Sequence, residues 1–507
     1  MNRPLVIGAA ERPVSVNSCM LNRHGAIFGA TGTGKTVSLK VLAEQLSSIG
    51  VPVFLADVKG DLGSAAVAGE LNASLQKRLD RIGCSDYEPE SFPVEFFDLF
   101  GEEGIPLRAT ISEMGPLLLS RILGLNETQA GVLNICFSVA DESGLLLIDC
   151  KDLRAMLNYI DENKASLKAH YGNIAGSSIG AILRALLVLE EQGGSSFIGE
   201  PAFDVQDFFR MDNAGRGYFS ILSAGRLLQS PTLYATFLLW LFTTLYESLP
   251  EVGDPDQPKL VFFFDEAHLL FNDLSPELEH RIEQVVRLSR SKGLSIFFIS
   301  QSPLDIPDPI LAQCGNIIQH GLRAYTPKEQ AAVRKIAQNF RQNGSFSVEE
   351  AISSLSVGEA LVSVLDEKGI PQNVERVLMA PPKSSLRAID PLRRSQIINN
   401  SSLYEKYAQA IDAKSAYEIL EEQAEEKRLE AERQTLMEVQ KKEEALAQKE
   451  EEKKLAQLEK EKRAQEREAA RQASRDPGRR FANQVMGSVG RELGRQITRS
   501  FLGIFKK

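Results

Sequence analysis

An α/β fold around a mostly parallel sheet is predicted for this chain of 507 residues, on three observations. Short apolar runs alternate with helical patterns from about Met1 to Pro382, as they do where helices cover a parallel sheet. Several of those runs are rich in Val, Ile and Phe at consecutive positions, the mark of strands buried on both faces. Finally, the glycine-rich octapeptide GATGTGKT, Gly29 to Thr36, stands between the first strong strand and an amphipathic helical pattern, VSLKVLAEQLSS.

Strands are expected at residues 26–28, 53–56 and 94–97, which with the octapeptide make residues 1–100 the first part of the core. Over residues 101–211 the strand signal disappears and apolar residues recur every three or four, as in PLLLSRILGL and IGAILRALLVLEEQ. A mainly helical insertion is expected there. Residues 212–382 return to the sheet with strands at 218–222, 260–264, 295–299 and 316–319, then a last pair near 359–364 and 374–378. The breaker APPKSS follows. Residues 383–475 then form a linker and, from about Tyr417 to Ser474, a long charged C-terminal helix almost free of Gly and Pro. Leu429, Leu436, Val439 and Leu446 fit a heptad seam, but the next step meets Lys453. Both a coiled coil and a solvated helix, held by pairs such as Glu438 with Lys442 and Glu450 with Lys454, fit this pattern. Residues 476–507 read as a basic amphipathic tail, with Phe481, Val485, Val489, Leu493, Ile497 and Phe501 on one face and Arg491, Arg495 and Arg499 on another. Such a tail can dock on the protein itself, on an acidic partner or on an anionic membrane; its glycines weaken a free helix and favour the first two.

The formal net charge of −10 gives no global attraction for nucleic acid, so any such contact needs a local basic surface. Cys19, Cys84, Cys136, Cys150 and Cys314 are scattered with no CxxC pair, which argues against a zinc knuckle or a disulfide framework and fits reduced cytosol. The start, MNRPLVIGAAERP, has no charged-then-apolar leader, and apolar runs such as LLWLF around Trp240 fall well short of the ~20 residues a bilayer needs. A cytoplasmic protein without integral membrane segments is expected.

GATGTGKT matches G-x-x-x-x-G-K-[ST] at every fixed position. In such a loop the backbone N–H groups, here of Gly29, Ala30, Thr31, Gly32, Thr33 and Gly34, point inward around the α- and β-phosphates of a nucleotide, and the following helix N-terminus adds a favourable dipole. Lys35 would reach the β- and γ-phosphates, and Thr36 would place its hydroxyl on Mg²⁺. ATP and Mg²⁺ are therefore the expected cofactors.

A second motif, LVFFFDEAHLL, ends the strand at 260–264 with the letters DEAH. Open α/β sheets bind ligands at such strand ends. Asp265 would hold Mg²⁺, directly or through water, and Glu266 would polarise the attacking water. His268 in this position serves packing as readily as chemistry. In RLSRSKGLSIFFISQSP, Arg287 to Pro303, the strand ends at Ser300 and Gln301, where an amide can contact the γ-phosphate or the water. Arg290, preferred over Arg287, sits on a helix edge before that strand. It can enter a neighbouring subunit's site as a finger on the developing charge, or remain a surface arginine. Asp57, Lys59 and Asp61 of LADVKGDL close the second strand at the same ligand edge, and the sequence assigns them no role.

The order GATGTGKT, ADVKGD, VFFFDEAH, RLSRSKGLSIFFISQSP resembles the HerA–FtsK superfamily of ring-forming ATPases. NRHGAIFGATGTGKT, HGLRAYTPKEQ and SVGEALVSVLDEKGIP are similar to its HerA-helicase-like group, over about Leu21 to Pro382. The resemblance implies a RecA-like P-loop ATPase core, ATP binding by residues 29–36, magnesium and water activation by Asp265 and Glu266, a sensor amide at Gln301 and a trans-acting arginine at Arg290. It also implies a homo-oligomer, a hexamer by preference, that moves double-stranded DNA. A DEAH-box helicase would instead need a second RecA-like domain ending in an arginine-rich QRxGR-type segment, which this sequence lacks. Full HerA proteins carry an N-terminal β-barrel ahead of the phosphate loop, whereas Gly29 stands close to the start here; the charged helix and basic tail are a second difference.

Two functions compete on this reading. One is a HerA-like translocase hydrolysing ATP at subunit interfaces; the other is a nucleotide-dependent scaffold or switch that recruits a protein partner through the C-terminal helix. A peripheral-membrane ATPase anchored by residues 481–507 rests on the tail alone.

Overall fold

The computed structural model describes residues 3–84, 87–253, 255–271, 276–324, 326–342 and 344–473. Among the described residues there are twelve strands: β1 (Pro4–Ala9), β2 (Pro13–Asn17), β3 (Gly25–Phe28), β4 (Val53–Asp57), β5 (Val94–Asp98), β6 (Ile105–Pro106), β7 (Phe219–Ser223), β8 (Leu260–Phe264), β9 (Leu294–Ser300), β10 (Asn316–His320), β11 (Glu359–Ser363) and β12 (Glu375–Met379). They form one sheet in the order β2-β1-β12-β11-β10-β3-β9-β8-β4-β7-β5-β6. From β10 to β6 neighbours run parallel. From β2 to β10 they run antiparallel. Every expected strand is present with its ends within one residue of the expected bounds. The strands that periodicity missed are β1, β2 and β6. β2 begins with proline and exposes part of its length, and β6 is only two residues long, so neither carries a strong apolar run; β1, PLVIGA, carries one beside the chain start that sequence reasoning passed over.

Alternation across the pleat explains the continuous apolar runs. In β8, Leu260, Phe262 and Phe264 face one core, while Val261 and Phe263 face the other. The second core is closed by helix α1 (Lys35–Ser48) through Leu39, Leu42 and Leu46. The first is closed by a helical layer, α2 (Ile111–Ile122), α3 (Glu127–Glu142), α4 (Cys150–Tyr171) and α5 (Gly176–Glu191), and by α6 (Pro231–Ser248). Capping boxes at Thr110, Asn126 and Asp149 start α2, α3 and α4, satisfying N–H groups that a helix start leaves orphaned. The helices read as an insertion thus share one core with the strands.

Two compact units are present, Met1–Leu420 and Glu421–Lys507. After β12 the chain stays on the first unit: the Glu44 carboxylate of α1 accepts from the Lys383 N–H at 2.6 Å and the Ser384 N–H at 3.1 Å. Asp152 of α4 accepts from the Tyr417 N–H at 2.8 Å, which anchors the root of the long helix Ala416–Ala473. Along that helix Leu429, Leu436, Val439 and Leu446 are all exposed, and Arg428 pairs with Glu432 at 3.8 Å. The basic tail, with Phe481, Val485, Val489, Arg491, Leu493, Arg495, Ile497, Arg499 and Phe501, lies outside the described residues. Among the described residues no helix is long and apolar enough to cross a membrane.

Candidate functional site

β3 delivers Gly29 to the C-terminal edge of the sheet, between β10 and β9. Gly29, Gly32 and Gly34 have φ of 152°, 77° and 116°, a region that side chains disfavour. At Gly29 close approach adds to the demand: a Cβ there would lie 2.5 Å from the His320 Cβ. The loop is braced at three points. The Ala30 N–H donates to the Gly321 carbonyl at 3.0 Å, the Thr33 hydroxyl to the Ala30 carbonyl at 2.7 Å, and the Gly358 N–H to the Thr33 carbonyl at 2.9 Å. Thr31 and Gly32 are exposed at the loop crest, and Thr36 is half-buried in the first turn of α1. Lys35 is buried, and its ammonium donates to the Gly29 carbonyl at 2.6 Å and the Ala30 carbonyl at 3.3 Å. Burial holds Lys35 below the ordinary lysine range, against the pull of Glu266 and Asp265.

His320, at the end of β10, props the loop from below. Its Nδ1 lies 3.0 Å from the Glu359 carbonyl, which can only accept, so Nδ1 carries the proton; Nε2 then accepts from the Ser38 hydroxyl at 2.9 Å. Burial lowers its pKa to about 4, so the ring is neutral. Sequence reasoning passed over His320, although it opens the HGLRAYTPKEQ segment that carried part of the resemblance.

β8 places the DEAH residues two strands from the phosphate loop. Asp265 is 4% exposed, burial pushes its carboxyl up to about 6, and Oδ2 has no hydrogen-bond partner among the described residues. Glu266 has φ of 49°, unusual for a residue other than glycine, and the next N–H, of Ala267, donates to the Ile299 carbonyl at 2.7 Å. The third partner comes from the turn after β4. Lys59 donates to Glu266 Oε1 at 2.6 Å and stands 3.9 Å from Asp265 Oδ2. Burial alone would raise the Glu266 carboxyl, but the hydrogen bond and charge of Lys59, together with the charges of Lys35 and His268, outweigh it and hold the group below its usual range. Asp57 shapes the turn that carries Lys59, its carboxylate accepting from the Gly60 N–H at 2.7 Å and the Leu62 N–H at 3.0 Å. The Asp61 carbonyl accepts from the Ser64 hydroxyl. His268 Nδ1 lies 3.5 Å from Glu266 Oε2.

Ser300 pairs with Phe28 across β9 and β3, so the exposed Gln301 lies beside Gly29. The Ser300 hydroxyl donates to Asp305 at 2.6 Å, a link sequence reasoning did not find. Arg290 is set apart from the phosphate loop and the DEAH residues. It begins a 3-10 turn, Arg290–Lys292, that precedes β9, and the seven residues of β9 span roughly 23 Å between that turn and the site edge. Its guanidinium cannot reach the phosphate loop of its own chain.

The edge therefore combines a phosphate cradle, one cation on each side and a buried carboxylate oxygen open to a further ligand. The glycine loop presents the kind of cradle a nucleotide's phosphates would take, and Asp265 Oδ2 with the Thr36 hydroxyl are the oxygens that could hold a divalent ion. Among the described residues no three His, Cys, Asp or Glu side chains are grouped to hold a metal unaided, so such an ion would lean on phosphate oxygens and water.

Residues 5–507 match the family described as Helicase HerA-like C-terminal, and the chain belongs to that family. It is similar to the DNA double-strand break repair helicase HerA of Sulfurisphaera tokodaii, 23% identical over 381 residues, covering 71% of this chain and 65% of the relative. It is also similar to the probable helicase MJ1565 of Methanocaldococcus jannaschii, 28% identical over 347 residues, covering 68% of this chain and 60% of the relative. The chain thus spans less than two thirds of either relative's length. Among solved structures the fold resembles the plasmid coupling protein TrwB in complex with ADP and Mg²⁺, with a TM-score of 0.52 at 15% identity over 77% of this chain and 92% of that one. The unbound monoclinic form of TrwBdeltaN70 gives 0.51 at 16% identity over 76% and 91%. At these identities the likeness is one of fold.

Proposed function

We propose that this protein is a HerA-like ring ATPase that couples ATP hydrolysis to movement of double-stranded DNA, acting in the cytoplasm. The observation that carries the reading is the convergence, on one sheet edge, of Lys35 from the glycine loop with Asp265 and Glu266 from β8. Backbone N–H groups of residues 29–34 would cradle the phosphates, and Lys35 would exchange its loop carbonyls for phosphate oxygens. Bound Mg²⁺, held by Thr36 and Asp265, would neutralise charge on the phosphates. Glu266 would orient the attacking water and Gln301 would contact the γ-phosphate or that water. Arg290, remote from its own site, would serve the site of an adjoining copy, which makes oligomerisation part of the chemistry. The name of the Sulfurisphaera tokodaii relative, a DNA double-strand break repair helicase, supports DNA as the polymer; the net charge of −10 adds nothing to that support.

The test is steady-state ATP hydrolysis with and without linear double-stranded DNA, with light scattering on the same samples. The reading expects an oligomer whose hydrolysis depends on Glu266 and Arg290 and rises with DNA. Absence of DNA binding and stimulation at low salt would remove the DNA part. A second reading, a nucleotide-dependent scaffold, draws on the exposed Leu429, Leu436, Val439 and Leu446 of the long helix. Removing residues beyond Leu420 leaves a motor's oligomeric ATPase intact but costs a scaffold its protein partner.

A further inference from the structure

Lys59 lies in neither the glycine loop nor the DEAH strand, yet it makes the shortest polar contact to the carboxylate assigned to water. Its placement is determined by the backbone around it. The register of β4 on β8 sets Ala56 beside Phe264, so the residues that follow each strand emerge side by side. Asp57 then folds the turn back through the Gly60 and Leu62 N–H groups, and Gly60, with φ of 78°, permits the reversal. The result is a Lys59 ammonium 2.6 Å from Glu266 Oε1 and 3.9 Å from Asp265 Oδ2, one cation serving two adjacent carboxylates.

The other half of Glu266 shows what the pairing does. Oε2 is buried and accepts no hydrogen bond among the described residues; His268 Nδ1 is 3.5 Å away. A buried acceptor without a partner is costly, and proteins retain such groups where chemistry uses them. The backbone of Glu266 is fixed by the Ala267 N–H on the Ile299 carbonyl, but that bond leaves the side-chain torsions free. Lys59 removes that freedom.

We propose that Lys59 is the positioning residue for the water-orienting carboxylate, clamping Glu266 Oε1 so that Oε2 is presented to the water that attacks the terminal phosphate. The inference rests on the ATPase reading above. Held this way, Glu266 acts by accepting a hydrogen bond from the water and fixing its line of attack. Phosphoryl transfer suits this, because positioning and electrostatics supply most of its catalysis.

Steady-state kinetics of Lys59→Met, Lys59→Arg, Glu266→Gln and the Lys59→Met/Glu266→Gln double variant test it, with thermal melting of each. Lys59→Met lowers kcat at least about tenfold and leaves KM for ATP within about twofold, since the loss falls on the transition state. Lys59→Arg, which keeps charge and donors, restores most of kcat. The double variant turns over at the rate of Glu266→Gln alone, because the lysine works through the glutamate. Should Lys59→Met fail to fold, Lys59→Gln takes its place with the same expected loss. Wild-type kcat in a folded Lys59→Met, or a double variant well below Glu266→Gln, overturns the proposal. Unchanged hydrolysis in Glu266→Gln, or none in the wild type, overturns the ATPase reading itself.

Discussion

The two ends of the same parallel strands are built to different purposes. At the C-terminal ends of β3, β4, β8 and β9 stand Gly29, Lys59, Asp265 with Glu266, and Gln301, and buried carboxylate oxygens there lack hydrogen-bond partners among the described residues. At the N-terminal ends, polar side chains act as struts. His24 Nδ1 accepts from the Ile296 N–H at 3.1 Å, Asn316 Nδ2 donates to the Met20 and His24 carbonyls at 3.0 Å each, and Lys292 donates to the Leu249 carbonyl at 2.8 Å. The first edge is left open for a ligand and the second is closed on itself. Arg290 belongs to the second edge, so any catalytic role it has must be played on another copy.

The largest test of that contrast is Arg290→Ala. An arginine finger contributes on the order of 10³-fold or more to turnover, so the substitution should cost about that much in kcat while light scattering shows the oligomer intact. Glu266→Gln probes the other edge: roughly a 10²- to 10³-fold loss in kcat is expected, with nucleotide affinity retained in equilibrium titration.

A third test uses pH. Burial lowers His24 to about 4, below the ordinary histidine value. The unfolded chain therefore takes up a proton as pH falls through about 6.5 while the folded one does not until about 4. Stability is full above that window and declines across it, by roughly 3 kcal/mol from His24. Melting temperatures between pH 7 and pH 4, set against those of His24→Gln, check the decline. The smallest effect is expected at Ser38→Ala, which removes the hydroxyl on His320 Nε2: about 1 kcal/mol of stability, read from urea denaturation.

How much of this was legible in sequence follows from how far apart the interacting residues lie. The glycine loop is local: eight consecutive residues dictate its shape, and strand, loop and helix α1 appear where the pattern placed them. β8 and β9 were equally plain, since their alternate residues fill two cores and leave an unbroken apolar run. The sequence assigns Lys59 no role because its partner is 207 positions away, and the contact exists only through the lateral pairing of β4 with β8. The link between Ser38 and His320 spans 282 positions and has no local signature at all. The anchoring of the long helix by Asp152 is of the same kind: the capping residue reads as local, while its second duty to Tyr417 depends on the fold.

The central claim, a site completed by a second copy, is tested most directly by mixing Lys35→Ala and Arg290→Ala protomers and measuring steady-state ATP hydrolysis. Each variant alone should be inactive. In mixed oligomers an intact site on an Arg290→Ala protomer can meet an intact arginine from a Lys35→Ala neighbour, so roughly a quarter of wild-type interfaces should return at equal ratio. No recovery on mixing, with exchange of subunits confirmed, or full activity in Arg290→Ala alone, would contradict it.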